Sequence, residues 1–170
     1  KVGVVHCDVR KPNVAMRNRK VMMLDWSSAR FHAAAHFVQE NARESYQQLY
    51  AAQNDQQDNR RRHVGLITAS KAVCAEVGDS RDVPDGLQFC PADDAIACIK
   101  LAYQVLCWHD TSISLAPASG SSAVMIWNDA FVNYGAPPQL EILEERRTEF
   151  ATAAQLDLLV EEALQFLEVG

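Results

Sequence analysis

Seven glycines, six prolines and 8 % aromatic residues leave this 170-residue chain short of several familiar signatures. No G-x-G-x-x-G fingerprint occurs anywhere in it. The five cysteines, Cys7, Cys74, Cys90, Cys98 and Cys107, are scattered and odd in number, with no C-x-x-C pair. That argues against a disulfide framework or a zinc cluster and for reduced thiols. No apolar run approaches the ~20 residues needed to cross a bilayer, and no long apolar signal-peptide core stands near the first residue. The chain therefore reads as intracellular, most simply cytoplasmic. Positive charge is also scarce: 16 lysines and arginines face 22 acidic residues, a net charge of −6. This excludes recognition of nucleic acid or an anionic membrane through a bulk positive field, so any phosphate contact must be local.

What is present is a chain of 48 % hydrophobic and 22 % charged residues, enough for one domain with a real core. No internal repeat or second domain is evident. Its densest chemistry lies in residues 4–29, VVHCDVRKPNVAMRNRKVMMLDWSSA. Val14-Ala15-Met16 and Val21-Met22-Met23-Leu24 flank Arg17-Asn18-Arg19-Lys20. Two short apolar runs around a charged tip read as a β-hairpin, with Asn18 able to take the positive φ of a tight turn. Asn13 stands just before the first strand, Asp25 just after the second, and Asp8 in the loop upstream. One antiparallel unit would thus gather Asp8, Asn13 and Asp25. An asparagine oxygen and a carboxylate are hard ligands suited to Mg2+ on nucleotide phosphates. A carboxylate kept off the metal can deprotonate a hydroxyl.

His6-Cys7-Asp8-Val9-Arg10-Lys11-Pro12-Asn13 resembles the H-x-D-x-x-x-x-N catalytic loop of the protein kinase-like superfamily, and Asp25-Trp26-Ser27 stands where kinases have D-F-G. The resemblance implies that Asp8 is the catalytic base and that Asn13 and Asp25 hold Mg2+ with ATP. Arg10 would take the place of the lysine that meets the γ-phosphate, and His6 would be structural. Two positions depart from the pattern. Cys7 replaces the arginine that pairs with a phosphorylated activation loop, and Trp26 replaces phenylalanine, as in aminoglycoside and choline phosphotransferases.

Further along, Gly65 to Lys71 resembles the stretch that ends in A-P-E, with Ala69-Ser70-Lys71 in that position. Lys71 reverses the sign of the usual glutamate, which puts in doubt the ion pair that residue makes. Pro91 with Asp93-Asp94 signals a helix start. The run from Ala95 to Trp108 is apolar on nearly every face, as a buried helix is. It resembles the D-D-L-E-S helix of casein kinase-like and fungal or oomycete kinases, which implies that Asp94 caps the catalytic-loop backbone.

Ala33 to Tyr50 favours helix, and residues 53–62 read as a mobile polar loop. His32, His36 and Glu40 would share one helical face, but surface histidines explain them better than a zinc site. Arg60-Arg61-Arg62 with His63 reads as a solvated loop segment. Residues 111–122 form a small-residue loop, residues 121–131 a short helix, and Gly135 to Pro138 a break. Leu140 to Phe150 reads as a charged amphipathic helix. In Ala153 to Val169, Leu156, Leu159, Val160, Ala163, Phe166 and Leu167 form a core-facing stripe.

The fold expected is mainly α with a small β-hairpin near the N-terminus, a protein kinase-like C-terminal lobe. Residues 1–28 would carry the catalytic loop and metal-binding hairpin, 29–71 the activation-segment region, and 72–170 the helical scaffold. The resemblance implies that the glycine-rich loop, strand lysine and helix glutamate belong to an N-terminal lobe outside this sequence, so these 170 residues alone would have negligible kinase activity. The function expected is transfer of the γ-phosphoryl group of ATP to a protein hydroxyl. The alternatives are a small-molecule phosphotransferase, which Asp25-Trp26 favours, and a non-catalytic binding module, which Lys71 favours.

Overall fold

A computed structural model describes residues 3–32, 38, 40–55, 64–79, 83–84, 87–107 and 119–169. It is mainly helical. Residues Val4–Val5 (β1) pair antiparallel with Arg30–Phe31 (β4), and Val14–Arg17 (β2) with Lys20–Met23 (β3). Among the described residues there follow α1 (Arg43–Asp55), α2 (Lys71–Val77), α3 (Pro91–Leu106), α4 (Gly120–Tyr134), α5 (Pro138–Glu145) and α6 (Ala153–Val169). No helix among the described residues is long and apolar enough to cross a membrane.

The β2–β3 hairpin forms as its sequence dictates. Asn18 and Arg19 both take positive φ, 52° and 60°, the conformation of a two-residue hairpin turn whose twist matches the strands. The first pairing, β1 with β4, carried no sequence signal because each strand is only two residues long. Of the helix expected over Ala33 to Tyr50, the described residues form a 3-10 turn at Glu40–Ala42 and an α-helix only from Arg43. The Tyr46 hydroxyl of α1 reaches back to the carbonyls of Gly3 and His32. His32 thus follows a strand while Glu40 opens a short 3-10 turn, so these two do not share a helical face. His36, the stretch Arg60 to His63 and most of the loop 111–122 lie outside the described residues.

α3 is the central post. Pro91 opens it, and the Asp93 carboxylate caps the Cys90 N–H at 2.8 Å. Ala92, Ile96 and Ile99 pack against Leu140 and Leu143 of α5 and Leu156 and Ala163 of α6. A second cluster joins Val5 and Cys7 to Leu66, to Val73 and Val77 of α2, and to Ala123 of α4. A third sets Tyr103 against Trp127, Ala130 and Leu167.

Three expectations need correction here. α3 is not apolar and buried all round: Cys98, Val105 and Leu106 are exposed, while Lys100 is 1 % exposed. α5 ends at Glu145 rather than Phe150, because Arg147 turns back to bond Asp93 and leaves the helical path. Phe166 lies outside the α6 stripe, 46 % exposed.

Candidate active site

The loop between β1 and β2 carries His6, Asp8, Arg10 and Asn13, and its backbone is held from below by α3. Asp94 Oδ2 accepts the His6 N–H at 2.6 Å and Oδ1 accepts the Cys7 N–H at 3.1 Å. Cys7 sits at φ 65°, a conformation that costs a non-glycine residue ~1–3 kcal/mol. Bonds to a carboxylate on a rigid helix offset that cost. Burial pushes the Asp94 carboxyl up to about 6, against the His6 and Cys7 amides that favour its charge.

Asp8 is 5 % exposed. Its Oδ2 accepts from Asn13 Nδ2 at 2.8 Å and from Arg10 Nε at 3.0 Å. Asn13 Nδ2 also donates to the Asp8 carbonyl at 3.0 Å, which locks the loop into one turn. Asp8 Oδ1 is buried beside Gly65, where an added Cβ would stand 3.0 Å from it. Burial raises the Asp8 carboxyl above the ordinary carboxylate value. The Arg10 charge, the Asn13 amide and the Gly65 backbone work in the other direction. A desolvated, singly ionised oxygen of this kind is a stronger base than a free aspartate.

His6 is bonded through both ring nitrogens. Its Nδ1 accepts the Asp8 N–H at 3.3 Å, which assigns the proton to Nε2, and Nε2 donates to the Leu24 carbonyl at 2.9 Å. The imidazole thereby ties the loop to the end of β3. The Trp26 ring packs edge-on against it, centroids 4.7 Å apart, and the indole N–H donates to the Met23 carbonyl at 3.2 Å.

Asp25 follows β3 in the left-handed region, φ 54°. Its Oδ1 accepts from the Ser27 hydroxyl at 2.6 Å and from the Ser27 N–H at 3.3 Å. The Ser27 hydroxyl, then its amide, hold the Asp25 carboxyl below the ordinary range, so it stays ionised in the open. The Leu24 N–H donates to the Asn13 carbonyl at 2.8 Å, closing the hairpin base from which both residues project. Among the described residues no group of three histidines, cysteines or acidic residues could hold a metal.

The far wall of the site is the segment Gly65–Ser70. Thr68 Oγ1 donates to the Val9 carbonyl and, at 3.1 Å, to the Gly65 carbonyl. The Lys71 ammonium lies 3.3 Å from Glu141, and the Lys71 N–H donates to Glu144 Oε2 at 2.9 Å. Sequence reasoning missed three groups that anchor this wall, Lys100, Glu144 and Arg147, and read Asp93 only as a helix start. A lysine inside an otherwise apolar helix was the available signal for the first of them, since buried lysines are almost always paired.

No family of known proteins, no curated protein and no solved structure matches the chain.

Proposed function

We propose that the chain carries the catalytic half of a protein kinase-like phosphotransferase in an intracellular setting, using Mg2+ and ATP to phosphorylate a protein hydroxyl. The observation that carries this reading is the buried Asp8 carboxylate, fixed on one oxygen by Asn13 and Arg10. In this reading Asp8 accepts the proton of the acceptor hydroxyl as the nucleophile forms. Arg10 uses only Nε on Asp8, which leaves its two terminal nitrogens for a phosphate oxygen. Asn13 turns its amide nitrogen to Asp8 and so its amide oxygen away, and Asp25 keeps one carboxylate oxygen in solvent. Two oxygen donors fit Mg2+, which takes few protein ligands and completes its shell with water and phosphates. Bound ATP supplies the γ-phosphoryl group, and Mg2+ neutralises charge on it.

The test is Mg2+-dependent ATP binding by titration calorimetry, comparing the wild type with Asp25→Asn. Asp25 is exposed, so the substitution leaves the core untouched. Binding should require Mg2+ and weaken about tenfold or more in the variant, the usual scale for losing a charged ligand. Binding that ignores Mg2+ or Asp25 overturns the reading. Acceptor assays, run with the N-terminal lobe that the resemblance implies supplied to the chain, then separate a protein hydroxyl from a small-molecule alcohol. A non-catalytic binding module is the second reading, favoured by Lys71, whose side chain is committed to Glu141, and Mg2+-dependent ATP binding would count against it.

A further inference from the structure

The first turn of α3 presents two consecutive carboxylates, and they engage different loops. Asp94 takes the His6 and Cys7 amides of the loop that carries Asp8. Asp93 takes the Ser70 hydroxyl on Oδ1 at 2.7 Å, and Ser70 Oγ in turn accepts the Val73 N–H at 3.3 Å. Arg147 clamps Asp93 through Nε to Oδ1 at 2.5 Å and Nη2 to Oδ2 at 2.9 Å, while Nη2 also donates to the Gln88 carbonyl at 2.6 Å. A small cavity behind Asp8 is lined by Gly65, Thr68, Ser70, Asp93 and Asp94 among others. The two loops therefore face each other across a space whose floor is this pair of aspartates.

We propose that Asp93, clamped by Arg147, is a positioning residue for the Gly65–Lys71 wall, and that with Asp94 it sets the separation of the two loops that flank the Asp8 carboxylate. The proposal rests on the phosphotransfer reading for its consequence but on bond geometry for its substance. Both aspartates stand on one rigid turn, so neither loop can shift against the other without breaking a bond to a carboxylate. Ser70 is the N-cap of α2, so the same hydroxyl that reports to Asp93 also fixes where α2 begins. At its other end the wall is stitched to the Val9 carbonyl by Thr68, which carries the setting to the residue next to Asp8. Loosening Asp93 should thus free the wall and leave the catalytic loop in place.

Amide hydrogen exchange of the whole chain, read by NMR without nucleotide, tests this. In Arg147→Ala the Thr68, Ala69, Lys71 and Val73 amides should exchange about tenfold faster or more, while His6 and Cys7 keep their wild-type rates. Asp94→Asn should give the converse, faster exchange at His6 and Cys7 with the wall unchanged. Arg147→Lys keeps the charge without the planar fork and should restore part of the protection. Uniform acceleration in all variants would reduce the pair to general stability and overturn the proposal, as would an unchanged wall in Arg147→Ala. Should Arg147→Ala fail to fold, wild-type protection of the wall in Arg147→Lys would overturn it equally. Because no nucleotide is present, loss of the phosphotransfer reading leaves this result intact, and a failed exchange pattern leaves Mg2+-dependent ATP binding to be judged separately.

Discussion

The segment from Gly3 to Phe31 and the helical body from α2 to α6 are held together by different physics. The body is cemented by apolar contact: Ile96, Ile99, Leu140, Leu143 and Ala163 are fully buried among one another. The N-terminal segment has two-stranded ribbons and four non-glycine residues at positive φ, Cys7, Asn18, Arg19 and Asp25. Met16 and Val21, cross-strand partners, are 74 % and 70 % exposed. Such a ribbon is marginal by itself, and its position depends on polar bonds to α3 and on Val5 and Cys7 in the second core cluster. Charge divides the same way. Arg10, Lys11, Arg17, Arg19, Lys20 and Arg30 crowd the first segment beside only two aspartates, in a chain that is acidic overall. The contrast teaches that a rigid hydrophobic frame can carry a polar, strained loop, provided a few charged groups connect them.

The most severe break should come where a charged group is buried inside the frame itself. Lys100 Nζ lies 2.8 Å from Glu144, 2.6 Å from the Ala69 carbonyl and over the Trp127 ring. Glu144→Ala leaves that ammonium without its counter-ion and should cost about 3–5 kcal/mol in urea unfolding. Lys100→Met with Glu144→Leu should be far milder, because an apolar pair needs no partner.

The next break lies at the junction. The folded state holds the Asp94 proton up to about pH 6, against an ordinary value of 3.8. Folding therefore gains from this group below about pH 4 and loses that gain as pH rises to about 6. Asp93 from the same helix and the His6 imidazole from the loop are the other titratable groups in the balance. The stability difference between wild type and Asp94→Asn should shift by about 3 kcal/mol across that window, wild type gaining toward acid. A difference flat in pH would show that the two amides compensate the burial fully.

The smallest effect belongs to the hairpin tip. Arg19 sits at φ 60° with no glycine's freedom, so Arg19→Gly, which makes the Asn-Gly turn, should stabilise by about 0.5–1 kcal/mol in thermal unfolding. Met16→Thr on the same ribbon should move stability by less than about 0.5 kcal/mol, since its side chain is in solvent.

Much of this was legible in the sequence where the signal was local. The hairpin followed from Asn18 between two apolar runs, α3 from Pro91 and the paired aspartates, and α6 from its stripe. Asp8, Asn13 and His6 stood out because their spacing is rare. What stayed hidden depends on long-range pairing. β1 and β4 are too short for a pattern, and α5 stops early because Arg147 is drawn to Asp93. The division between Asp93 and Asp94 was also invisible, since adjacent carboxylates look alike until their partners, Ser70 and Arg147 for one and His6 and Cys7 for the other, are known.

In the proposed function, Asn13 and Asp25 would hold the divalent cation that binds with ATP. Mn2+ with ATP, added to the isotopically labelled chain, tests it most directly by NMR, because a paramagnetic ion broadens the amides around it. The signals of Asp8, Asn13, Asp25 and Ser27 should broaden first, and Asp25→Asn should remove the effect. Broadening centred elsewhere, or none at Asn13 and Asp25, would contradict it.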